Sequence, residues 1–159
     1  MGQEIERKFL VDIEILQQDP EFQNSIPHSI IQGYILNSPD QTIRVRIKDA
    51  KGFLTIKGKQ SGLSRSEFEY QIPHTDAQEI LSMVNTKVLA KKRYEIKVGE
   101  HLWEVDIFEG DNKGLIIAEI ELQSEDEAFC KPLWVLNDVS TDLKYTNALL
   151  INHPFSHWT

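Results

Sequence analysis

The chain lacks most of the features that mark specialised proteins. Its 159 residues include one cysteine, Cys130, so no internal disulfide can form and a reducing, cytoplasmic setting is expected. No apolar run approaches the ~20 residues that span a bilayer. The opening MGQEIERKFLV has neither the basic start nor the apolar stretch of a secretory signal. Glycine, proline and serine are nowhere concentrated, which argues against long linkers and disorder. Acidic residues outnumber basic ones 25 to 17, for a formal net charge of −8. That excess disfavours a large nucleic-acid surface or adhesion to a membrane. No Ser-His-Asp or Cys-His arrangement stands out. At this length one domain, residues 1–159, is expected around a single core.

What is present is alternation. Most of the chain reads with a period of 2, the mark of strands. Eight stretches qualify: 3–11, 29–36, 41–48, 52–59, 65–72, 89–98, 102–108 and 115–122. Short connections such as DAK at 49–51, Gly99-Glu100 and 110–114 favour antiparallel pairing. Helical signals are fewer. Thr75 and Gln78 fit a capping box for a helix over 76–85, and Ser124 and Glu127 fit another for a short helix ended by Pro132. Residues 142–151 suit a C-terminal helix, and 12–25 has room for a helical turn. Cys130 is expected to be buried in the short helix beside Phe129, and Trp103, Trp134 and Phe108 to pack outside the strands.

The charges on these strands come in pairs of one sign. Residues i and i+2 of a strand share a face. Glu4 and Glu6 pair in this way, with Lys8 following, as do Arg44 and Arg46, Lys57 and Lys59, Glu67 and Glu69, Lys91 and Arg93, Glu104 and Asp106, and Glu119 and Glu121. The residues between them are mostly apolar: Ile5, Val45, Phe68, Val105, Ile120. A wet sheet face explains any one pair. Seven sign-sorted pairs are harder to explain, since like charges ~7 Å apart repel by roughly 2 kcal/mol at an effective dielectric near 20. Relief comes either from neighbouring strands of opposite sign or from ligands. Clustered carboxylates suit hard cations such as Mg²⁺ or Mn²⁺, and clustered Arg and Lys suit phosphate oxygens. Eight antiparallel strands can close into a barrel that turns one face of every strand inward. The paired charges would then line a polar lumen.

These residues resemble a known family. Glu4-x-Glu6-x-Lys8 is similar to the ExExK signature of the CYTH superfamily, the triphosphate tunnel metalloenzymes. The ordered series RVRI (Arg44, Arg46), TIK (Lys57), LSRSEFE (Arg65, Glu67, Glu69), KKRY (Lys91, Arg93), WEVDIF (Asp106), AEIEL (Glu119, Glu121) and DLKYTN (Lys144) follows it across almost the whole chain. The branch most resembled is the short, single-domain bacterial tripolyphosphatases. Lys144 departs from the pattern, since many relatives carry Arg there, and loses a planar fork for phosphate.

The resemblance implies a mainly β (α+β) fold: a closed eight-stranded antiparallel barrel with a few flanking helices and a C-terminal helix. It implies metal-dependent hydrolysis of inorganic tripolyphosphate to pyrophosphate and phosphate, with one or two Mg²⁺ or Mn²⁺ ions. Glu4, Glu6, Asp106, Glu119 and Glu121 are the expected metal ligands. Lys8, Arg44, Arg46, Lys57, Arg65, Lys91, Arg93 and Lys144 are the expected phosphate clamp. Lys57, Glu69 and Tyr34 are the catalytic candidates, Tyr34 fitting either a dyad with Lys57 or a packing role. His153 and His157 are separated by Pro154 in a terminal tail, where no metal role is expected. Class IV adenylate cyclase-like chemistry, thiamine or nucleoside triphosphatase activity and a non-catalytic triphosphate-binding module remain open, as does the choice between monomer and homodimer. A carrier barrel for an apolar ligand fits worst, because the pattern puts charge in the lumen.

Overall fold

The structure, a computed structural model, describes residues 2–84 and 87–158. Nine strands form its frame: β1 (Gly2–Val11), β2 (His28–Asn37), β3 (Thr42–Lys48), β4 (Lys51–Lys57), β5 (Ser64–Ile72), β6 (Leu89–Val98), β7 (His101–Phe108), β8 (Ile116–Glu121) and β9 (Val135–Asp138). The strand order is β5-β4-β3-β2-β6-β7-β8-β1, and β1 pairs back with β5. The first eight strands thus close into an antiparallel barrel. Closure is staggered along β1: residues 2–5 face β5, while residues 6–10 face β8. Past the end of the β5 seam, the short strand β9 takes over the same edge of β1, opposite Phe9 and Val11.

Register decides what faces inward. Directly opposed residues point to the same side of a sheet, and the pairs Lys8↔Glu119, Glu104↔Glu119, Arg93↔Asp106, Arg44↔Thr55, Lys57↔Glu67 and Glu4↔Arg65 put the sorted charges together in the lumen. The apolar residues between them face out. Phe9, Ile96, Trp103, Val105, Ala118 and Ile120 form a buried core against Leu16 and Trp134. This core therefore lies on the outer wall. It is roofed by α1 (Ile13–Leu16) and α2 (Pro20–Asn24), whose starts are capped by Asp12 and Asp19. On another side α3 (His74–Met83) covers β3 and β4 so closely that a Cβ at Gly52 would sit 2.7 Å from the Ala77 Cβ.

Several elements differ from the expectations above. Phe108 shares the inward face with Asp106 and joins a second buried cluster with Tyr34, Leu89, Leu115, Ile117, Leu150 and Ile151, which fills one end of the lumen. The C-terminal helix is broken. A 3-10 turn over Leu143–Tyr145 and α4 (Asn147–Leu150) flank Thr146, which is extended and caps α4. The capping signals at Ser124 and Glu127 build a turn and no helix, because Glu127 reaches the Gln123 amide and His101. Cys130, in the irregular stretch that follows, is exposed. The third helix starts at His74, after Pro73, so Thr75 lies inside it; the expected end at Asn85 falls outside the described residues. Strand β4 stops at Lys57, which leaves Lys59 with a side chain 75% exposed beside Asp40. Strand β9 carried no alternation long enough to announce it. Among the described residues no helix is long and apolar enough to cross a membrane.

Candidate active site

The lumen holds a cavity of about 240 Å³ lined by seven carboxylates and seven cations. They are sorted around the barrel. The adjacent strands β7, β8 and β1 bring Glu104, Glu119, Glu121, Glu4 and Glu6, while β3 brings Arg44, Arg46 and Lys48. Lys57 on β4, Arg93 on β6 and Lys8 on β1 complete most of the cationic set, and β5 contributes Arg65, Glu67 and Glu69. Opposite charges meet across strands. Lys57 Nζ lies 3.2 Å from both Glu4 and Glu67, and Arg65 Nε lies 3.6 Å from Glu4. Arg46 donates to Glu69 at 3.1 Å, and Thr55 donates to the same oxygen at 2.8 Å while accepting from Arg44.

Two carboxyl pairs show how crowded the acidic wall is. Burial, then the Glu119 charge, push the Glu6 carboxyl up to about 8. Burial also acts on Glu119, but Lys8, Arg93, Lys91 and a hydrogen bond from Glu6 hold it well below the usual carboxylate range. Glu67 is likewise pushed up to about 7 by burial and by its hydrogen bond to Glu4. Glu4 drops to about 2, because Lys57, Glu67 and Arg65 outweigh its burial. At neutral pH the proton of the first pair thus rests on Glu6, while Glu67 is about half protonated. On the cationic side, burial and the charges of Arg44 and Arg93 lower Arg46 to about 10.

Of the residues expected at the site, Glu4, Glu6, Glu69, Glu119, Glu121, Lys8, Arg44, Arg46, Lys57, Arg65, Arg93 and Tyr34 line this cavity. Lys91 and Asp106 lie behind its wall, their side chains 1% and 0% exposed. Both oxygens of Asp106 are used, by Lys91 at 2.7 Å and by Arg93 at 2.7 and 2.8 Å. Lys91 also donates to Asn147 at 3.1 Å, tying the lumen wall to the C-terminal segment. Lys144 lies outside the cavity, its ammonium 4.7 Å from the Trp158 ring centroid and 5.3 Å from that of Tyr145. The Tyr34 ring belongs to the apolar cluster at the filled end, while the Lys57 ammonium rests on Glu4 and Glu67.

Sequence reasoning passed over Lys48, Thr42, Thr146, Asn147 and Ala148, which also line the cavity, and the wholly buried Thr55 and Gln32. Lys48 was within reach, since it continues the i, i+2 series of Arg44 and Arg46. Uncharged Thr55 and Gln32 carry no comparable signal.

A family model of the CYTH domain matches residues 2–153. The chain belongs to the CYTH family. An inorganic triphosphatase of Acetivibrio thermocellus is 41% identical over 161 residues, covering 99% of each chain. One from Nitrosomonas europaea is 34% identical over 158 residues, covering 95% of this chain and 99% of its own. The solved inorganic triphosphatase NE1496 is similar in structure, with a TM-score of 0.65 and 32% identity over 95% of both chains. A Pyrococcus horikoshii protein, PH1819, at 24% identity and a TM-score of 0.57 over 77% of this chain and 80% of its own, shares the fold. The CYTH barrel here is thus similar in sequence and fold to proteins that bear a triphosphatase name.

Proposed function

We propose that this CYTH protein hydrolyses inorganic tripolyphosphate to pyrophosphate and orthophosphate in the barrel cavity. The observation that carries this reading is a small cavity inside the barrel whose cationic wall faces a carboxylate wall. The names of the two close relatives support it. Seven cations against seven carboxylates bring no net positive charge, so a polyanion must enter with added positive charge of its own. A divalent cation supplies it.

The residues fit such an ion. Glu4, Glu6, Glu119 and Glu121 are oxygen donors at the crowded wall, the type of set that suits Mg²⁺ or Mn²⁺. Among the described residues no cluster of three or more carboxylate, His or Cys groups is assembled to hold an ion alone. That agrees with a hard cation held by one or two carboxylates together with phosphate oxygens. When bound, one or two such ions would neutralise charge on the phosphates during transfer. Asp106 is spoken for by Lys91 and Arg93, so we assign it to wall stability.

The chain's own residues do the rest. Lys8, Arg44, Arg46, Arg65 and Arg93 hold phosphoryl oxygens, which draws Arg44 and Arg46 from Glu69. Lys57 leaves its carboxylates to meet the developing charge on the transferred group. Glu69, released from the arginines but still bonded to Thr55, orients the attacking water, and the Tyr34 hydroxyl faces the same cavity. Positioning and charge neutralisation suffice for phosphoryl transfer, and no strong nucleophile is required.

The test is phosphate release from tripolyphosphate, ATP, thiamine triphosphate and pyrophosphate, each with Mg²⁺ and Mn²⁺. Turnover is expected for tripolyphosphate, lost in EDTA. Glu4→Ala and Arg46→Ala are each expected to lower kcat/KM by about a hundredfold or more in a protein that still folds. A cyclic product from ATP, or binding without release under every metal, overturns the reading.

A further inference from the structure

Gln32 lies on the inward face of β2, directly opposite Arg46 on β3 and Leu89 on β6. Its relative exposure is 0%, and neither its amide nitrogen nor its carbonyl oxygen has a hydrogen-bond partner among the described residues. Such groups are rare inside proteins, because a buried amide that gives up water and finds nothing else is destabilising. Beside it, Arg46 Nε is also buried without a partner, although the far end of the same guanidinium donates to Glu69 and the group sits 5.7 Å from the Phe53 ring centroid. Opposed residues of an antiparallel pair have Cβ atoms about 5 Å apart. An unused acceptor and an unused donor therefore sit on directly opposed residues of neighbouring strands, a separation that a direct bond or one bridging water can span.

We propose that Gln32 is a positioning residue for Arg46: its carbonyl oxygen takes the Arg46 Nε–H, directly or through one buried water, and so aims the two Nη groups at phosphate oxygens. Gln32 does not line the cavity, so it acts on the ligand only through the arginine. An arginine offers phosphate a planar fork whose value depends on the plane being held. Phe53 supports one face of that plane, and Glu69 draws on its outer edge until phosphate displaces it. Gln32 holds the inner edge, the one contact that need not change when ligand arrives. A lysine at position 46 has no Nε–H edge to hold, which makes the dependence measurable. This inference rests on the proposed triphosphate site.

The experiment is a double-mutant cycle in the binding of imidotriphosphate, a tripolyphosphate analogue whose P–N–P bridges resist hydrolysis, measured calorimetrically with Mg²⁺ so that the ligand carries its cation and turnover does not intervene. The proteins are the wild type, Gln32→Met, Arg46→Lys and the double variant, with Gln32→Leu as a second apolar replacement. Gln32→Met is expected to weaken binding by about tenfold, yet by less than about twofold once Arg46→Lys is present. Melting temperatures of the Gln32 variants should change little, since the lost bond to Arg46 is offset by removing the rest of a buried polar amide. Equal losses in both backgrounds, or no loss in either, overturn the proposal. A melting temperature that falls in step with affinity does the same, because it marks a packing role. Turnover is measured separately on the wild type: coupled binding without phosphate release refutes the hydrolase reading and leaves Gln32 its role. Absence of imidotriphosphate binding with Mg²⁺ refutes both.

Discussion

Asp106 illustrates what a charge needs in order to sit inside this barrel. Burial alone would raise its carboxyl, but Arg93 and Lys91 keep it below the usual range. Three bonds of 2.7 to 2.8 Å use both oxygens. Lys91→Met leaves Asp106 to Arg93 alone and removes the donor to Asn147, so it should destabilise the protein by about 1–3 kcal/mol, as read from urea unfolding at pH 7. Asp138, at the outer surface, offers a milder test. Although burial raises its carboxyl, hydrogen bonds from Ser140 and Arg7 more than offset this and hold it below its ordinary value. The native state therefore binds this proton less readily than the unfolded chain. Its stabilisation is present above the unfolded value near 3.9 and fades as pH falls through the lower folded value. Asp138→Asn should flatten the loss of stability between about pH 4 and 2, measured by unfolding midpoints across that range. Strand parity read from the sequence put Asp106 on the charged face, but it carries no information on depth, and depth separates Asp106 and Lys91 from the groups that line the cavity.

Elements show the same division. The eight barrel strands were legible because each had four or more alternating residues and a glycine or polar turn at its end. Asp49 illustrates how such a turn is held: its φ of 54° is the left-handed conformation, and its carboxylate accepts from the Ser29 amide at 2.9 Å and from His28 at 2.6 Å. Helical elements were less legible, since caps and short apolar spacing also suit turns. At 124–127 the capping residues serve the turn itself, and at 142–151 Thr146 breaks what period alone would continue. Packing between elements left a trace only in glycine. Gly52 has ordinary strand geometry, but an added Cβ would lie 2.7 Å from Ala77 Cβ and 3.1 Å from the Ile72 oxygen. Gly52→Ala should push α3 off the sheet and cost about 1–3 kcal/mol, visible as a lower urea midpoint with an unchanged slope. Leu150, wholly buried where α4 meets the lumen cluster, should lose about 2–5 kcal/mol as Leu150→Ala.

For the whole molecule the decisive event is closure. The seam between β1 and β5 has four residue pairs, whereas β6 and β7 share eight. The short seam is the weakest link in the ring, so backbone amides near 3–5 and 64–67 should exchange hydrogen before those of β6 and β7. Tripolyphosphate, if it bridges Arg65 on β5 to the β1 carboxylates through a cation, should slow that exchange and raise the melting temperature. Exchange mass spectrometry with and without ligand measures both effects, and an unprotected seam at saturating ligand would place the polyanion elsewhere. The sequence was enough to establish strands, the sides on which their charges lie and the family they resemble, because a period of two and the sign of a side chain are local properties. It could not establish that Lys91 and Asp106 lie behind the cavity, that Lys144 lies on Trp158, that Phe108 plugs the lumen or that Gln32 faces Arg46. Those depend on the stagger with which the barrel closes and on the path of the C-terminal segment across its end, and both are set by contacts between residues far apart in the chain.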